Sequence, residues 1–432
     1  MVDLPPDEPY DARETRPPAE RSAAFWSSLQ QLAAHAKAHA PAWAERLAGV
    51  DPRDLDGPAA LARIPVLRKS QLLERQRASR EAGGDVFAGF STVGWNGGRP
   101  HAATPARVFA SPGPIYEPEG AGSDPWRMAR ALHAAGLRRG ELLHNSFAYH
   151  FTPAGMMLEG GAHRLGCAVF PAGVGNTEQQ VRALADLGAQ CYGGTPSFLG
   201  ILIERADALG VALPRLRKAV VSGEVLEDAL RQRLAARGIA VTQCYASADV
   251  GLMAYETRSG RGLVVDEDVY LEIVGPDDQP LPDGEVGEVV VTVLNPAYPM
   301  IRFGTGDLSR ILPESRSQPL PCGRTQLRIA GWMGRADQAT KVRGLFVHPQ
   351  QIDDIVRRHP EVKRARFEVS RRDGEDELRL FYLADAESPQ LGRALQQSVR
   401  DHTKLRAEVV WQPAGQWPAE APTIVDLRRT QP

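Results

Sequence analysis

Residues 190–209 read QCYGGTPSFLGILIERADAL: a short apolar segment, a Gly-Gly-Thr-Pro turn and a stretch with apolar residues at helical spacing. A strand, a tight turn and a helix in this order are typical of a parallel sheet with crossover helices. The same order recurs on both sides between residues 127 and 245, so the fold class is predicted to be α/β. We predict strands at 141–146, 168–171, 190–192, 218–221 and 241–245, and helices at 127–136, 155–165, 177–188, 196–209 and 226–237.

The sequence changes character on both sides of this region. Upstream, residues 20–48 carry apolar residues at helical spacing, which Pro41 interrupts. Downstream, short segments separated by Pro-Asp-Gly and Asn-Pro turns favour a β-rich subdomain with strands at 269–274, 288–294 and 308–312. We predict a large N-terminal domain over residues 1–333 and a small α+β C-terminal domain over residues 334–432. The latter has predicted helices at 349–358 and 390–400 and strands at 364–370, 377–384 and 407–412.

The charge balance narrows the class of partner. The 432 residues include 51 basic and 53 acidic side chains, a formal net charge of −2, which argues against nucleic acid and anionic membranes. No apolar stretch reaches the ~20 residues of a membrane helix, and the acidic, Pro-rich beginning does not resemble a secretory signal. Four widely spaced cysteines form no CxxC pair, so we expect reduced thiols. These features predict a cytoplasmic protein with small-molecule partners.

The segment from Arg302 to Asp307 reads RFGTGD. Two glycines flank a threonine, so the backbone can turn tightly and present the Asp307 carboxylate at the mouth of a loop. One interpretation is a carboxylate that accepts both hydroxyls of a ribose. The other is an ordinary hairpin turn.

Charged residues also follow the proposed domain boundary, in the segments Gly334–Asp337 and Lys341–Gly344. An Asp in a Gly-bounded connection, followed by Lys and Arg, suits a hinge that swings charged groups toward a ligand. A solvated linker would have the same composition. Because the chain has only six lysines against 45 arginines, a lysine at this place is informative.

Three further motifs come at predicted strand ends, where open parallel sheets bind ligands. They are YGGTPS at 192–197, SGE at 222–224 and YASAD at 245–249. Together they could seat a flat ring and place one carboxylate near a metal ion. Singly, each is a common strand-to-helix turn.

The order of these motifs resembles the adenylate-forming superfamily, specifically its phenylacetate-CoA ligase family. The resemblance runs from the IPVLRK segment at 64–69 to the IVDLR segment at 424–428, and residues 171–177 through 195–197 are close to the family's wording. It implies a large N-terminal domain and a mobile C-terminal domain that rotates between two half-reactions. In the first, a carboxylic acid and ATP give an acyl-adenylate and pyrophosphate; in the second, CoA displaces AMP. ATP, Mg²⁺ and CoA are the implied cofactors, and a homodimer is common in the family.

The resemblance also assigns roles to residues. Asp307 would hold the ribose, Tyr245 and the turn Ser222, Gly223 and Glu224 would flank adenine, and Asp249 would lie nearest Mg²⁺. Asp337 would be the hinge pivot, Arg335 would lie close to the nucleotide, and Lys341 would serve one half-reaction unless it is a surface lysine. Ser111, Gly113, Ser247 and Arg302 complete the predicted nucleotide contacts. The predicted acyl pocket, whose aromatic residues core packing would also explain, comprises Phe147, Tyr149, His150, Phe151, Gly193, Gly194 and Thr195.

The sequence departs from the family at four places. The phosphate loop is SPGPIYEP at 111–118, with prolines that lack an N–H and Glu117 where the family has Lys, so we expect the loop to repel a triphosphate. Asp249 replaces a Glu, and no Lys follows Lys404 to stabilise charge on the α-phosphate. Of the ligand positions for a structural zinc, Cys322 is retained but Thr257 and Val264 are not ligand types, so no zinc site is expected.

Two explanations fit these departures. One is a divergent ligase that recruits other cations among its arginines and activates an aromatic or similar apolar carboxylic acid. The other is a relative that binds an adenine nucleotide or acyl-CoA without using ATP to form an adenylate. A dinucleotide oxidoreductase is disfavoured because no GxGxxG follows the first strand. We predict the AMP-forming acid–CoA ligase.

Overall fold

The computed structural model describes residues 5–95, 103–111, 113–336, 340–342, 345–347, 349–372, 375–418 and 422–429. The chain divides into two compact units. The first comprises Met1–Leu271, Val290–Gly304 and Ile311–Gly331, and the second comprises Glu272–Val289, Thr305–Arg310 and Trp332–Pro432. The predicted domain boundary after residue 333 stays a prediction. In the described part of the chain, no helix combines the length and apolarity that crossing a membrane requires.

The first unit begins with helices and short strands. Helix α1 ends at His39 because Pro41 follows and starts α2, as the sequence predicts. A hairpin, β2–β3, pairs Ser111 with Ile115. The elements up to this hairpin are α1 (Pro18–His39), α2 (Pro41–Arg46), α3 (Pro58–Leu61), β1 (Leu67–Arg68), α4 (Lys69–Glu81), β2 (Val108–Ser111) and β3 (Ile115–Pro118).

The alternating region forms the predicted sheet. Its elements are α5 (Ala129–Ala134), β4 (Leu142–Asn145), α6 (Ala154–Arg164), β5 (Ala168–Pro171), α7 (Thr177–Leu187), β6 (Cys191–Gly194), α8 (Pro196–Leu209), β7 (Lys218–Val221), α9 (Asp228–Ala236), β8 (Ala240–Ser247), β9 (Gly251–Glu256), β10 (Leu263–Val265) and β14 (Arg328–Ile329). The eight strands lie in the order β14-β10-β9-β8-β7-β6-β4-β5. Strands β5, β4, β6, β7 and β8 are parallel to one another, whereas β8, β9, β10 and β14 pair antiparallel.

The unit at residues 190–209 forms as predicted. The Thr195 side chain accepts a hydrogen bond from the Phe198 N–H at the start of α8, Pro196 occupies the first helical position, and Gly210 ends the helix at φ 64°. Gly193 is required by packing, because a Cβ there would lie 2.2 Å from Leu158 Cδ2 of α6. Side chains on both faces of the parallel strands, such as Leu143, Tyr192 and Val221, are buried in the core.

A four-stranded sheet has the order β1-β13-β12-β11, with β11 (Val269–Val274), β12 (Gly287–Val293) and β13 (Met300–Ser309). The expectation that 302–307 forms a turn at a loop mouth is wrong, because this segment lies within β13. The Thr305 hydroxyl donates to the Val289 carbonyl at 3.0 Å, and Gly306 adopts φ 73°. The glycine therefore permits a local kink in a strand instead of reversing the chain.

The C-terminal part of the second unit is an α+β structure. Its elements are β15 (Thr340–Val342), β16 (Leu345–Val347), α10 (Pro349–Arg358), β17 (Arg364–Arg372), β18 (Glu375–Leu383), α11 (Pro389–Thr403), β19 (Glu408–Trp411) and β20 (Ile424–Asp426). Strands β15 and β16 form a hairpin, and the other four form a sheet in the order β19-β18-β17-β20. Ile352, Ile355, Phe367, Leu380 and Leu395 form part of its core. Both helices and the strands at 364–370, 377–384 and 407–412 are confirmed within a few residues, and β20 was not predicted.

Candidate active site

The carboxyl ends of neighbouring parallel strands bring four predicted site segments to one edge of the large sheet. Strands β4, β6, β7 and β8 are consecutive neighbours, and each is followed by one of the segments 146–151, 195–197, 222–224 and 248–249. The Ser146 N–H donates to the Gly193 carbonyl at 2.7 Å, and the Ser222 N–H donates to the Gly194 carbonyl at 3.2 Å. The motifs therefore continue the ladder of the sheet beyond the strands, as binding loops of α/β folds do.

An apolar cavity of about 130 Å³ opens at this edge. It brings together one predicted acyl-pocket residue, Phe147, and three predicted nucleotide contacts, Ser222, Gly223 and Ser247. The remaining lining is mostly apolar and includes Met128, Pro153, Met157, Leu158 and Ala246. A cavity with apolar walls and a few hydroxyl groups is suited to a compact apolar ligand with a polar end.

Other predicted acyl-pocket residues lie elsewhere. The Tyr149 hydroxyl donates to Glu159 at 2.9 Å and accepts from Asn145 at 2.7 Å, and burial raises the pKa of this phenol. His150 is exposed, and Phe151 is 81% exposed at φ 61°. Thr195 caps α8 and lies 3.8 Å from a Cβ built at Gly223. The cavity in this structure thus uses one of the four predicted aromatic and histidine side chains.

The predicted adenine-flanking residues have defined partners. The Ser222 hydroxyl donates to the Cys244 carbonyl at 2.8 Å, and Glu224 Oε2 accepts from the Ser197 N–H at 3.3 Å. Tyr245 lies in β8 and is partly exposed. These bonds hold the 222–224 turn against β8 and the start of α8 at the edge of the sheet.

A cluster of polar and charged side chains lies beyond Ser247. We call it the site cluster; its four members are Ser111, Glu117, Asp249 and Lys69. Lys69 Nζ lies 2.7 Å from Asp249 Oδ2, and the Ser111 hydroxyl lies 2.8 Å from Glu117 Oε1. Glu117 and Asp249 are 3% and 5% exposed. Burial and then the neighbouring Asp249 carboxylate raise the pKa of Glu117 well above its ordinary value. The buried site therefore favours the neutral form of Glu117 more than water does.

This geometry corrects the expectation for the phosphate loop. Glu117 was expected to repel a triphosphate, but it is buried on β3, and its surroundings raise its pKa. The hairpin is anchored from behind, because Gln76 of α4 accepts from the Tyr116 N–H at 2.8 Å and donates to the Tyr116 carbonyl at 2.9 Å. Gly113 packs on the same helix, since a Cβ there would lie 2.9 Å from Leu73 Cδ1. Strands β2 and β3 therefore form a firmly held hairpin in which the Glu117 carboxyl group is not exposed.

The donor set of the site cluster fits the implied Mg²⁺. Asp249 Oδ1 and Glu117 Oε2 are buried and have no hydrogen-bond partner among the described residues. Carboxylate oxygens are the ligands that Mg²⁺ prefers, with the remaining positions taken by water and phosphate. Asp249 would hold the ion, which supplies positive charge to the phosphates.

On the second unit, the predicted ribose carboxylate has two donors on one oxygen. Asp307 Oδ1 accepts from Arg335 Nη1 at 3.0 Å and from the Trp332 indole N–H at 3.1 Å. Arg335 Nη1 also donates to the Thr305 carbonyl at 3.2 Å. The structure therefore brings together two residues, Asp307 and Arg335, that the sequence assigned to the nucleotide.

The remaining predicted residues are less informative. The Arg302 guanidinium is buried and donates to the Ala62 and Ile64 carbonyls at 2.8 and 2.7 Å, so packing accounts for it and its assignment to the nucleotide gains no support. Lys341 lies on β15, paired with Phe346, and its side chain is outside the described residues. Asp337 also lies outside them.

The Cys322 sulfur accepts from Arg324 at 3.1 Å, and the described residues contain no group of three or more potential metal-ligating side chains.

Comparison with known proteins places this geometry in a family. A family model described as AMP-binding enzyme matches residues 147–295. The phenylacetate-coenzyme A ligase of Thermus thermophilus is 30% identical over 96% of this chain and 98% of its own length. The chain belongs to the phenylacetate-CoA ligase family. The phenylacetate-coenzyme A ligase of Escherichia coli is 33% identical over 63% of this chain and 65% of its own length.

A solved member of the adenylate-forming enzymes supports the same placement. An open conformation of 2-hydroxyisobutyryl-CoA ligase, in complex with 2-HIB-AMP and CoA, matches 99% of this chain and 96% of its own at 25% identity and a TM-score of 0.80. Membership of the phenylacetate-CoA ligase family confirms the predicted family, the α/β fold class and the enzyme class. That class is an AMP-forming acid–CoA ligase that uses ATP, Mg²⁺ and CoA. The alternative, a relative that binds an adenine nucleotide or acyl-CoA without using ATP to form an adenylate, is not favoured.

Lys69 was not among the predicted site residues. It lies 180 positions before Asp249 in the sequence, and its segment was noted only for its family wording. One signal was present, because Lys69 is one of only six lysines in the chain.

Proposed function

We propose that this protein forms the CoA thioester of a compact apolar carboxylic acid, with aryl acids as the first substrates to test. The relatives named above act on phenylacetate and 2-hydroxyisobutyrate. The observation that carries the proposal is the cavity of about 130 Å³, whose wall includes Ser247, two residues before Asp249. A cavity of roughly 150 Å³ lined by apolar side chains holds a benzene ring, so the body of a small aryl acid or a branched short-chain acid fits.

The chemistry follows from the leaving groups. A carboxylate oxygen of the acid attacks the α-phosphorus of ATP, the bond from that phosphorus to the bridging oxygen breaks, and pyrophosphate leaves. The CoA thiol, losing its proton to solvent, then attacks the acyl carbon, and the bond to the AMP oxygen breaks. A mixed anhydride has a good leaving group where a free carboxylate has none. The cavity walls orient the acid, and the Ser247 hydroxyl, buried without a partner in the described structure, is available to the reacting end.

The other residue roles belong to the same proposal. Asp307 binds the ribose hydroxyls and Arg335 the nucleotide, while Tyr245 and residues 222–224 flank adenine. Ser111, Gly113 and Ser247 contact phosphate through hydroxyl and backbone groups. Lys341 serves one half-reaction, and a C-terminal domain beginning at residue 334 turns about Asp337.

A cytoplasmic location and a homodimer also belong to this proposal. The four cysteines are free thiols and three of them are buried, which suits a reducing compartment. Size-exclusion chromatography with light scattering tests the oligomeric state.

The first experiment measures pyrophosphate release from ATP and Mg²⁺ with a panel of phenylacetate, benzoate and short branched acids, with and without CoA. We expect release with at least one compact acid and, with CoA added, formation of AMP and the thioester. If no acid causes pyrophosphate release and AMP still binds measurably, the result would instead support a protein that binds the nucleotide without forming an adenylate.

A second experiment tests the ribose assignment. Asp307→Ala is expected to weaken AMP binding by at least about tenfold, because a charged hydrogen-bond acceptor contributes about 1.5–3 kcal/mol. The matched control is Asp385→Ala, an exposed carboxylate of the same unit that pairs with Lys363. Unchanged AMP affinity in Asp307→Ala, measured by calorimetry, would remove the ribose role.

A further inference from the structure

Lys69 is distinguished by where its ammonium group lies. Its Nζ is 2.7 Å from Asp249 Oδ2, and its side chain is 37% exposed while that of Asp249 is 2% exposed. The other four lysines whose side chains are described bind elsewhere: Lys37 to the Val50 carbonyl, Lys218 to Glu141, Lys363 to Asp385 and Lys404 to the Asp401 carbonyl. Lys69 is therefore the one described lysine that brings a cation to the site cluster and also reaches solvent.

The site cluster has more acid than base. It has two buried carboxyl groups and one lysine, and among the described residues Lys69 contacts the cluster through Asp249 Oδ2. An ammonium group has three donors, so Lys69 can keep Asp249 and still donate to a ligand oxygen from its exposed side. The hairpin at 111–118 contains no basic residue of its own.

The position of Lys69 is fixed by secondary structure on both sides. Leu67 and Arg68 pair with Phe303 and Gly304 of β13, and Lys69 is the first residue of α4. Two turns along the same helix, Gln76 holds both polar groups of the Tyr116 backbone. One short element thus places the ammonium group and supports the hairpin.

We propose that Lys69 binds the β- and γ-phosphates of ATP and stabilises the charge of pyrophosphate as it leaves. This inference rests on the proposed function. While the bond between the α-phosphorus and the bridging oxygen breaks, negative charge accumulates on the pyrophosphate, and the exposed side of the Lys69 ammonium donates to its oxygens. The ion pair with Asp249 keeps the ammonium in place and leaves Asp249 Oδ1 for Mg²⁺.

The test separates the polyphosphate end from the rest of the nucleotide. Lys69→Met keeps the apolar stem of the side chain and removes its charged end, Lys69→Arg restores a cation, and Lys37→Met is the matched control at a lysine outside the site. Calorimetry measures the affinity of each protein for inorganic pyrophosphate with Mg²⁺, for ATP with Mg²⁺ and for AMP. Single-turnover kinetics measures thioester formation from CoA and phenylacetyl-adenylate supplied ready-made.

We expect Lys69→Met to weaken pyrophosphate and ATP binding by about tenfold or more and to slow adenylation by about 10²–10³-fold. AMP affinity and thioester formation from the ready-made adenylate should stay within about twofold, because neither involves the β- and γ-phosphates. Lys69→Arg should recover part of the loss, and Lys37→Met should lose nothing.

Pyrophosphate affinity within about twofold of the native protein in Lys69→Met, with a native unfolding midpoint, would overturn the inference. So would an equal loss of AMP and pyrophosphate binding, which marks general damage to the site. If Lys69→Met does not fold, Lys69→Gln replaces it in the same measurements. If the native protein forms no adenylate with any acid yet binds pyrophosphate through Lys69, the proposed function fails while the assignment of Lys69 stands.

Discussion

The first unit buries two groups of charges, and they are built differently. One is the site cluster. The other, which we call the N-terminal network, joins the first residues of the chain to the core and comprises Asp7, Asp11, Glu14, Arg21, Arg130, Asp266, Glu267 and Arg324 with Arg16 and Arg127 at its edge.

In the N-terminal network, the carboxylates are matched by guanidinium groups. Glu14 accepts from Arg130 at 2.9 Å and from Arg324 at 2.8 Å, and Glu267 accepts from Arg16 and Arg21, both at 3.0 Å. In the site cluster, two carboxyl groups lie near one partly exposed lysine, which pairs with Asp249, and the pKa of Glu117 is raised by burial and then by Asp249. A matched network holds structure, whereas a buried excess of acid beside an exposed cation is arranged for a ligand that brings its own charges.

The largest expected effect comes from breaking the matched network. Arg324→Met leaves the buried Glu14 with one guanidinium partner and leaves Asp7 without the Arg324 guanidinium, so we expect a loss of about 3–5 kcal/mol in the free energy of unfolding. Urea denaturation measures it. The control is Arg53→Met, whose guanidinium pairs with Asp51 but is 88% exposed, and which should change stability by less than about 1 kcal/mol. Similar losses in both variants would contradict the distinction drawn here.

A smaller effect is expected in the site cluster. Glu117→Gln replaces a carboxyl group whose pKa is raised by an uncharged amide of the same shape, so stability at neutral pH should change by no more than about 1 kcal/mol. The same urea titration serves as the measurement. A loss as large as that of Arg324→Met would show that Glu117 is ionised and paired, contrary to its burial beside Asp249.

The smallest effect concerns pH at the edge of the N-terminal network. Burial, and then the Arg138 guanidinium, lower the pKa of His133 from 6.5 to about 4, and its ring packs edge-on against Tyr10 at 5.5 Å. Because the folded state keeps this ring neutral, its contribution to stability is complete above pH 6.5 and is lost as the pH falls toward 4.

For a partly exposed ring, the loss between pH 7.5 and 5 should be about 1 kcal/mol. The difference in stability between these two pH values should therefore be smaller by that amount in His133→Gln than in the native protein. Urea titrations of both proteins at pH 7.5 and 5 measure this difference. Identical differences in the two proteins would show that His133 does not titrate in this range.

The secondary-structure elements that the sequence predicted correctly are those that depend on local sequence pattern. Thr195, Pro196 and Gly210 carry the start and stop signals of α8, and the structure has that helix at the predicted residues. The segment at 302–307 was misjudged because two glycines resemble a turn, while the pairing of β13 with its neighbours, which no local pattern contains, keeps it extended.

The site was predictable only in part, for a related reason. Phe147 and Ser222 follow strands and Ser247 ends one, so the topology of the sheet alone brings them to one edge. Glu117 was judged by its charge, but its burial beside Asp249 depends on the tertiary packing of the hairpin. Lys69 reaches the site from the start of α4, and no spacing rule connects a residue with a partner 180 positions away.

Helix α4 has a consequence for variation in this part of the chain. Lys69 and Gln76 are seven residues apart, about 10 Å along the helix axis and nearly two full turns. Inserting a single residue between them would rotate Gln76 by about 100° and direct its amide away from the Tyr116 backbone. Relatives with the same arrangement should therefore tolerate substitutions on the outer face of this helix, but neither insertions nor deletions in its first two turns. A hairpin transplanted into another protein would function only together with the helix that holds it.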